Sequence, residues 1–159
     1  MNRFGAISVA AVMMSLAGAV FPVAPSVAQT TAGMANQMFD EGYFLKAADQ
    51  ASQKGDLESV VQLYQSAIIY NPGDPVPYEK LAEHFVHNDQ PELATRYFNL
   101  ALDVQPAYAP ALQGLALLDL AAGNRAGAQA QHEILKRSCG AACPETALVE
   151  KALNSPPTR

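Results

Sequence analysis

An all-α stack of three helical hairpins, finished by a short capping helix, is the fold this sequence predicts. Three observations predict it. Turn-forming residues return every 34 positions, small and aromatic residues keep one register around each turn, and proline closes two of the three units. The turns are Lys54-Gly55-Asp56, Asn88-Asp89-Gln90 and Ala122-Gly123-Asn124. Gly55 to Asp89 is 34 residues, and Asp89 to Gly123 is 34 again.

Residues 1–28 carry Arg3, an uncharged apolar or small run from Ala6 to Val20, a break at Phe21-Pro22, and small residues at Ser26 and Ala28. That layout is expected of a secretory signal peptide cut after Ala28. The apolar run is shorter than the roughly 20 residues that span a bilayer. Residues 29–40 are an N-terminal extension, where Met34, Met38 and Phe39 recur at helical spacing and are expected to lengthen the first helix. Residues 41–74 form the first unit, with Phe44, Ala47, Ala48 and Ala51 before the turn and Val60, Tyr64, Ala67 and Pro72 after it. Residues 75–108 form the second, with Tyr78, Leu81, Ala82, Phe85, Ala94, Phe98, Ala101 and Pro106 in the same slots. Residues 109–142 form the third. They keep Leu112, Leu115, Ala116, Ala128 and Leu135, but place Asp119 and His132 in aromatic slots and Gly140 in the proline slot.

The physical logic is that of stacked hairpins. A 3.6-residue period gathers these side chains on one face of each helix. Alanines at the crossing points let two helices approach closely, and aromatic residues fill the space toward the next pair. Asp56, and Asn88 or Asp89, are candidate caps at the turns. Pro91 suits the first turn of a helix. Residues 143–154 start with Pro144-Glu145-Thr146 and place Ala147, Leu148, Val149, Ala152 and Leu153 on an amphipathic helix that would cover the third hairpin. Residues 155–159 are a tail.

These spacings resemble the tetratricopeptide repeat (TPR), whose pattern runs W-x2-L-G-x2-Y, then A-x3-F, then P. The second unit matches in eight consecutive consensus slots, and the outer two match less well, as terminal repeats do. The resemblance implies a right-handed stack and a non-enzymatic, protein-binding or scaffolding role. It also implies a concave groove lined by the first helix of each hairpin. In this sequence that groove would carry Leu45, Asp49 and Ser52 from the first unit. Val76, Glu79, Glu83, Val86 and His87 would follow from the second, and Gln113, Leu117 and Leu120 from the third. The set is acidic in the middle and apolar toward its C-terminal end, so the expected partner is a protein or peptide segment with basic and apolar side chains.

Composition narrows the function further. The net charge of −5 offers no basic stripe for nucleic acid and no attraction to anionic lipid. No nucleophile elbow, phosphate loop or His-Glu-x-x-His zinc motif occurs, and the carboxylates are scattered, so no catalytic residues and no cofactor are expected. Cys139 and Cys143 flank Gly140 and would meet an oxidising compartment after export, so a disulfide is expected between them. The alternative is a redox or metal-handling site made of Cys139, Cys143 and His132. Its spacing is C-x3-C rather than C-x-x-C, and it has no evident fourth zinc ligand. His84 and His87 lie three residues apart beside Glu83 and read best as an ordinary polar helix surface. The whole pattern leads to an expectation of a periplasmic or secreted interaction module.

Overall fold

The computed structural model describes residues 40–155. The expected leader at 1–28, Met34, Met38 and Phe39 of the extension, and tail residues 156–159 lie outside the described residues. Among the described residues seven helices follow one another: α1 (Glu41–Lys54), α2 (Leu57–Tyr70), α3 (Val76–His87), α4 (Pro91–Val104), α5 (Ala109–Ala121), α6 (Arg125–Ser138) and α7 (Pro144–Asn154). They pair as α1 with α2, α3 with α4 and α5 with α6. Each hairpin rests on the next, and α7 lies across α5 and α6.

The helix ends explain the 34-residue interval. Gly55, Asp89 and Gly123 all have positive φ, at 73°, 54° and 77°. Each hairpin turn therefore needs one left-handed residue. Glycine adopts it without steric cost, and aspartate is among the few other residues that tolerate it. Asp56 caps α2, its carboxylate accepting from the Ser59 amide at 3.2 Å. Asn124 caps α6 by accepting from the Gly127 amide at 3.1 Å. Asn88, one of the two candidate caps at the second turn, caps the end of α3, its side-chain amide donating to the His84 carbonyl at 2.7 Å. Gln90 then precedes Pro91, which stands at the head of α4.

Asp40 corrects the expectation of a longer first helix. Its backbone is extended, and its carboxylate accepts from the Tyr43 amide at 2.7 Å. A capping aspartate satisfies amides that a continuing helix would bond internally, so α1 begins at Glu41 and is not lengthened through position 40. Pro72 and Pro106 act as expected: α2 stops at Tyr70 and α4 at Val104, two residues before each proline.

The core follows the repeating slots. Ala48, Ala67, Ala82, Ala94, Ala101, Ala116 and Ala128 are completely buried where helices cross. A larger side chain at any of them would force the helices apart, at a typical cost of about 1–3 kcal/mol. Tyr64, Leu81, Phe85 and Phe98 fill the first two hairpins, and the Phe85 ring stacks on Tyr97 with centroids 5.3 Å apart. A second cluster joins Leu112, Ala116, Ala128 and Leu135 to Val149 and Leu153 of α7. One stripe of α7 is thus apolar because it closes the end of the stack. The Arg125 guanidinium donates to the Leu153 carbonyl and fastens the C-terminus of α7 to the start of α6.

Cys139 and Cys143 are joined by a disulfide with their Cα atoms 5.7 Å apart. Cys139 ends α6, Gly140 turns the chain at φ 88°, and Cys143 caps α7. For so short a loop the chain-entropy relation gives about 2 kcal/mol of stabilisation.

Candidate partner-binding groove

Two clefts open along the side of the stack formed by the first helices, α1, α3 and α5. The first holds about 590 Å³ between α1–α2 and α3. Asp49, Ser52, Tyr64, Lys80, Glu83 and His87 are among its walls. The second holds about 350 Å³ between α3 and α5, walled by Glu83, Val86, His87, Pro110, Gly114 and Leu117, with the edge of the Phe98 ring at its floor. Glu83 and His87 belong to both clefts. They stand one helical turn apart on α3 and form the ridge between them.

Seven of the eleven expected groove residues line these clefts: Asp49, Ser52, Glu83, Val86, His87, Gln113 and Leu117. Four do not. Leu45 packs against the first core cluster and Leu120 against the second, because both lie on the inward edge of their helices. Val76 is half-buried in the first turn of α3, where its amide donates to Asp74. Glu79 is only 4% exposed and lies beneath the ridge rather than on it. Tyr64, Lys80, Pro110 and Gly114 were not anticipated. Tyr64 and Lys80 belong to core and charge slots that periodicity assigns elsewhere. Gly114 has no side chain to register in a period at all. A Cβ at this position would run into the Phe98 ring, so glycine here lets that ring of α4 pack directly on the α5 backbone. A glycine inside a helix costs about 1 kcal/mol against alanine, which is the signal that could have marked it.

The electrostatics centre on α3. Lys80 Nζ lies 2.8 Å from Glu83 and 3.5 Å from Glu79. Burial, then the neighbouring Glu83 charge, pushes the Glu79 carboxyl up to about 7. Burial works the same way on Glu83, but hydrogen bonds from Lys80 and from Glu79 outweigh it and hold Glu83 below the usual carboxylate range. Tyr64 Oη donates to Asp49 Oδ1 at 2.9 Å. Burial first, and Asp49 second, push the Tyr64 hydroxyl well above its ordinary value. Burial and then Glu79 push Tyr108 up to about 12. Burial, helped by His87, lowers His84.

The cysteine pair is arranged differently from the alternative metal or redox reading. Both sulfurs are engaged in the bridge. The third potential ligand beside them is Glu145, within 4.8 Å, and not His132. His132 is half-buried instead beside α7, and its Nε2 has no hydrogen-bond partner among the described residues.

No protein-family model and no curated protein matches the chain. Solved structures do. The TPR2B domain of yeast Sti1, in its pHsp70 complex, superposes with a TM-score of 0.63 at 16% identity, covering 71% of this chain and 92% of that one. The Arabidopsis OM64 TPR domain gives 0.61 at 15% identity, with 71% and 93% covered. The first TPR of Spaghetti (RPAP3), bound to the HSP90 peptide SRMEEVD, gives 0.61 at 16% identity, with 72% and 95% covered. At these identities the likeness concerns architecture, and on that ground the described chain has the fold of a TPR domain.

Proposed function

We propose that this chain is a protein-interaction or assembly module that holds a partner segment along α1, α3 and α5. The observation that carries the reading is the pair of adjoining clefts on that side, one polar and acidic, the other walled by the partly exposed Val86 and Leu117. Similar folds are seen with a bound peptide, as in RPAP3 with SRMEEVD. That peptide is acidic at its end. Here the walls of the two clefts carry the carboxylates of Asp49 and Glu83 and one ammonium, that of Lys80, which is paired with Glu83 and Glu79; among the described residues no other Lys or Arg lines either cleft. An acidic segment would be repelled, and a segment with basic and apolar side chains fits. The scaffold has no catalytic role in this reading.

The module acts outside the cytoplasm, in the periplasm or beyond, after removal of residues 1–28. The leader-like sequence at 1–28 and the bridged Cys139 and Cys143 support this. Among the described residues no helix is long and apolar enough to cross a membrane.

The test is selection of binding peptides from a random display library. Affinities are then compared for the chain itself, for Leu117→Glu in the second cleft, and for Ile69→Glu as a control. Ile69 is 82% exposed on α2, away from both clefts. Leu117→Glu should weaken binding by about tenfold or more, the value of one large buried aliphatic contact, while Ile69→Glu leaves it unchanged. Loss at Ile69 with none at Leu117 would place binding on another face. Mass spectrometry of the exported chain should find Gln29 at its N-terminus; a retained Met1 would refute processing.

A further inference from the structure

We propose that α3 is a saddle. The bound segment is extended, lays a Lys or Arg side chain into the cleft of Asp49 and Tyr64, and lays a large aliphatic side chain into the cleft of Gly114 and Leu117. The two side chains are about four positions apart. This rests on the groove reading above and adds its register and chemistry.

Helix α3 presents two flanks. One faces the first hairpin, the other the third, and Glu83 with His87 forms the crest that both clefts share. The flanks differ in chemistry. On the first, Asp49 accepts one hydrogen bond from Tyr64 and has no ion-pair partner among the described residues. Lys80 is already held between Glu83 and Glu79. The first cleft thus retains unbalanced negative charge, and a cation is its complement. On the second flank the walls are Val86, Pro110 and Leu117, and the Phe98 ring packs directly on Gly114 as an apolar floor. A branched aliphatic side chain is the complement of these apolar walls.

Geometry sets the spacing. A helix with its side chains is about 10–12 Å across. An extended chain advances about 3.3 Å per residue and turns every second side chain to the same face. Same-facing residues two apart reach only about 7 Å and fall short of the far cleft, whereas four apart reach about 13 Å and clear the crest. Extended backbone also passes over Glu83 and His87 with free amides, which the Glu83 carboxylate and the imidazole can accept.

The experiment uses fluorescent peptides with a Ser/Gly background, titrated into the full chain by polarisation. One Lys and one Leu are placed two, four or seven positions apart, in both orders, beside peptides with only one of the two. Separation four should bind about tenfold tighter than separation two or seven, and tighter than either single peptide. Asp49→Asn should remove the gain due to Lys and leave that due to Leu. Leu117→Ala should do the reverse. Glu83→Gln, which keeps the crest but removes its charge, should weaken only peptides with Lys. Equal affinity at all separations, or best affinity at seven as a helical ligand requires, would overturn the saddle. So would a Lys gain that survives Asp49→Asn. The groove reading fails separately, when library-selected peptides resist Leu117→Glu. A saddle failure with that response intact leaves the groove standing.

Discussion

Replacing Glu79 by Gln should make the chain more stable at pH 8, and by progressively less as the pH falls to 4. Glu79 is 4% exposed, so its charge is deprived of water, and Glu83 stands beside it. Its proton is held up to about 7 in the fold against an ordinary 4.5. Folded protein therefore binds more protons than unfolded protein between those values, and stability falls as pH rises through that window. Each tenfold displacement is worth ~1.4 kcal/mol, so keeping Glu79 ionised at pH 8 costs about 3 kcal/mol. That figure already contains the opposing pull of Lys80, 40% exposed and 3.5 Å away, and solvent screening at this partly open pair reduces it further. The net gain expected for Glu79→Gln is about 1–3 kcal/mol at pH 8, with near equality at pH 4, where the carboxyl is protonated in both states. Urea unfolding at pH 4, 6 and 8 measures it. A difference that does not change with pH, or a variant less stable at pH 8, would refute the burial and coupling argument.

Gly114→Ala should destabilise by about 1–3 kcal/mol in thermal unfolding, because overpacking against Phe98 outweighs the ~1 kcal/mol helix gain of alanine. A stabilised variant would mean that the ring gives way freely. Cys139→Ser with Cys143→Ser should lower stability by about 2 kcal/mol, and a reducing agent should bring the parent chain to the same level without affecting the variant. Asp89→Gly should leave stability unchanged or raise it by up to ~1 kcal/mol, since glycine relieves the left-handed φ of 54°. Leu135→Ala should cost about 2–5 kcal/mol and loosen α7, whose Val149 and Leu153 share its cluster, as hydrogen exchange in α7 would report.

The fold was legible because its determinants repeat. Ala48, Ala82 and Ala116 occupy one slot in three copies, and each reports the same close helix crossing. The turn residues Gly55, Asp89 and Gly123 are equally plain, since the backbone needs a left-handed residue at each. Cap assignment was less legible. Asn88 and Asp89 can serve either end of a turn, and only the geometry gives Asn88 to α3. The groove was read in part. A repeat register finds the side of a helix to within about one residue position, which is enough for Glu83, Val86 and His87. It cannot separate Glu79, which is buried, from Glu83, one turn on, which lines the clefts. Leu45 and Leu120 failed for the same reason. Gly114 and Pro110 shape a wall by lacking bulk, and a pattern of side chains does not record what is missing.

The most direct test of the central claim is an amide chemical-shift map of the isotopically labelled chain titrated with a library-selected peptide. The largest shifts should fall on α3 between Glu83 and His87 and on α5 between Gln113 and Leu117, with α4 and α6 little affected beyond Phe98. Shifts concentrated instead around Ile69 and Tyr70 of α2, or along the outer face of α7 near Leu148, would contradict it.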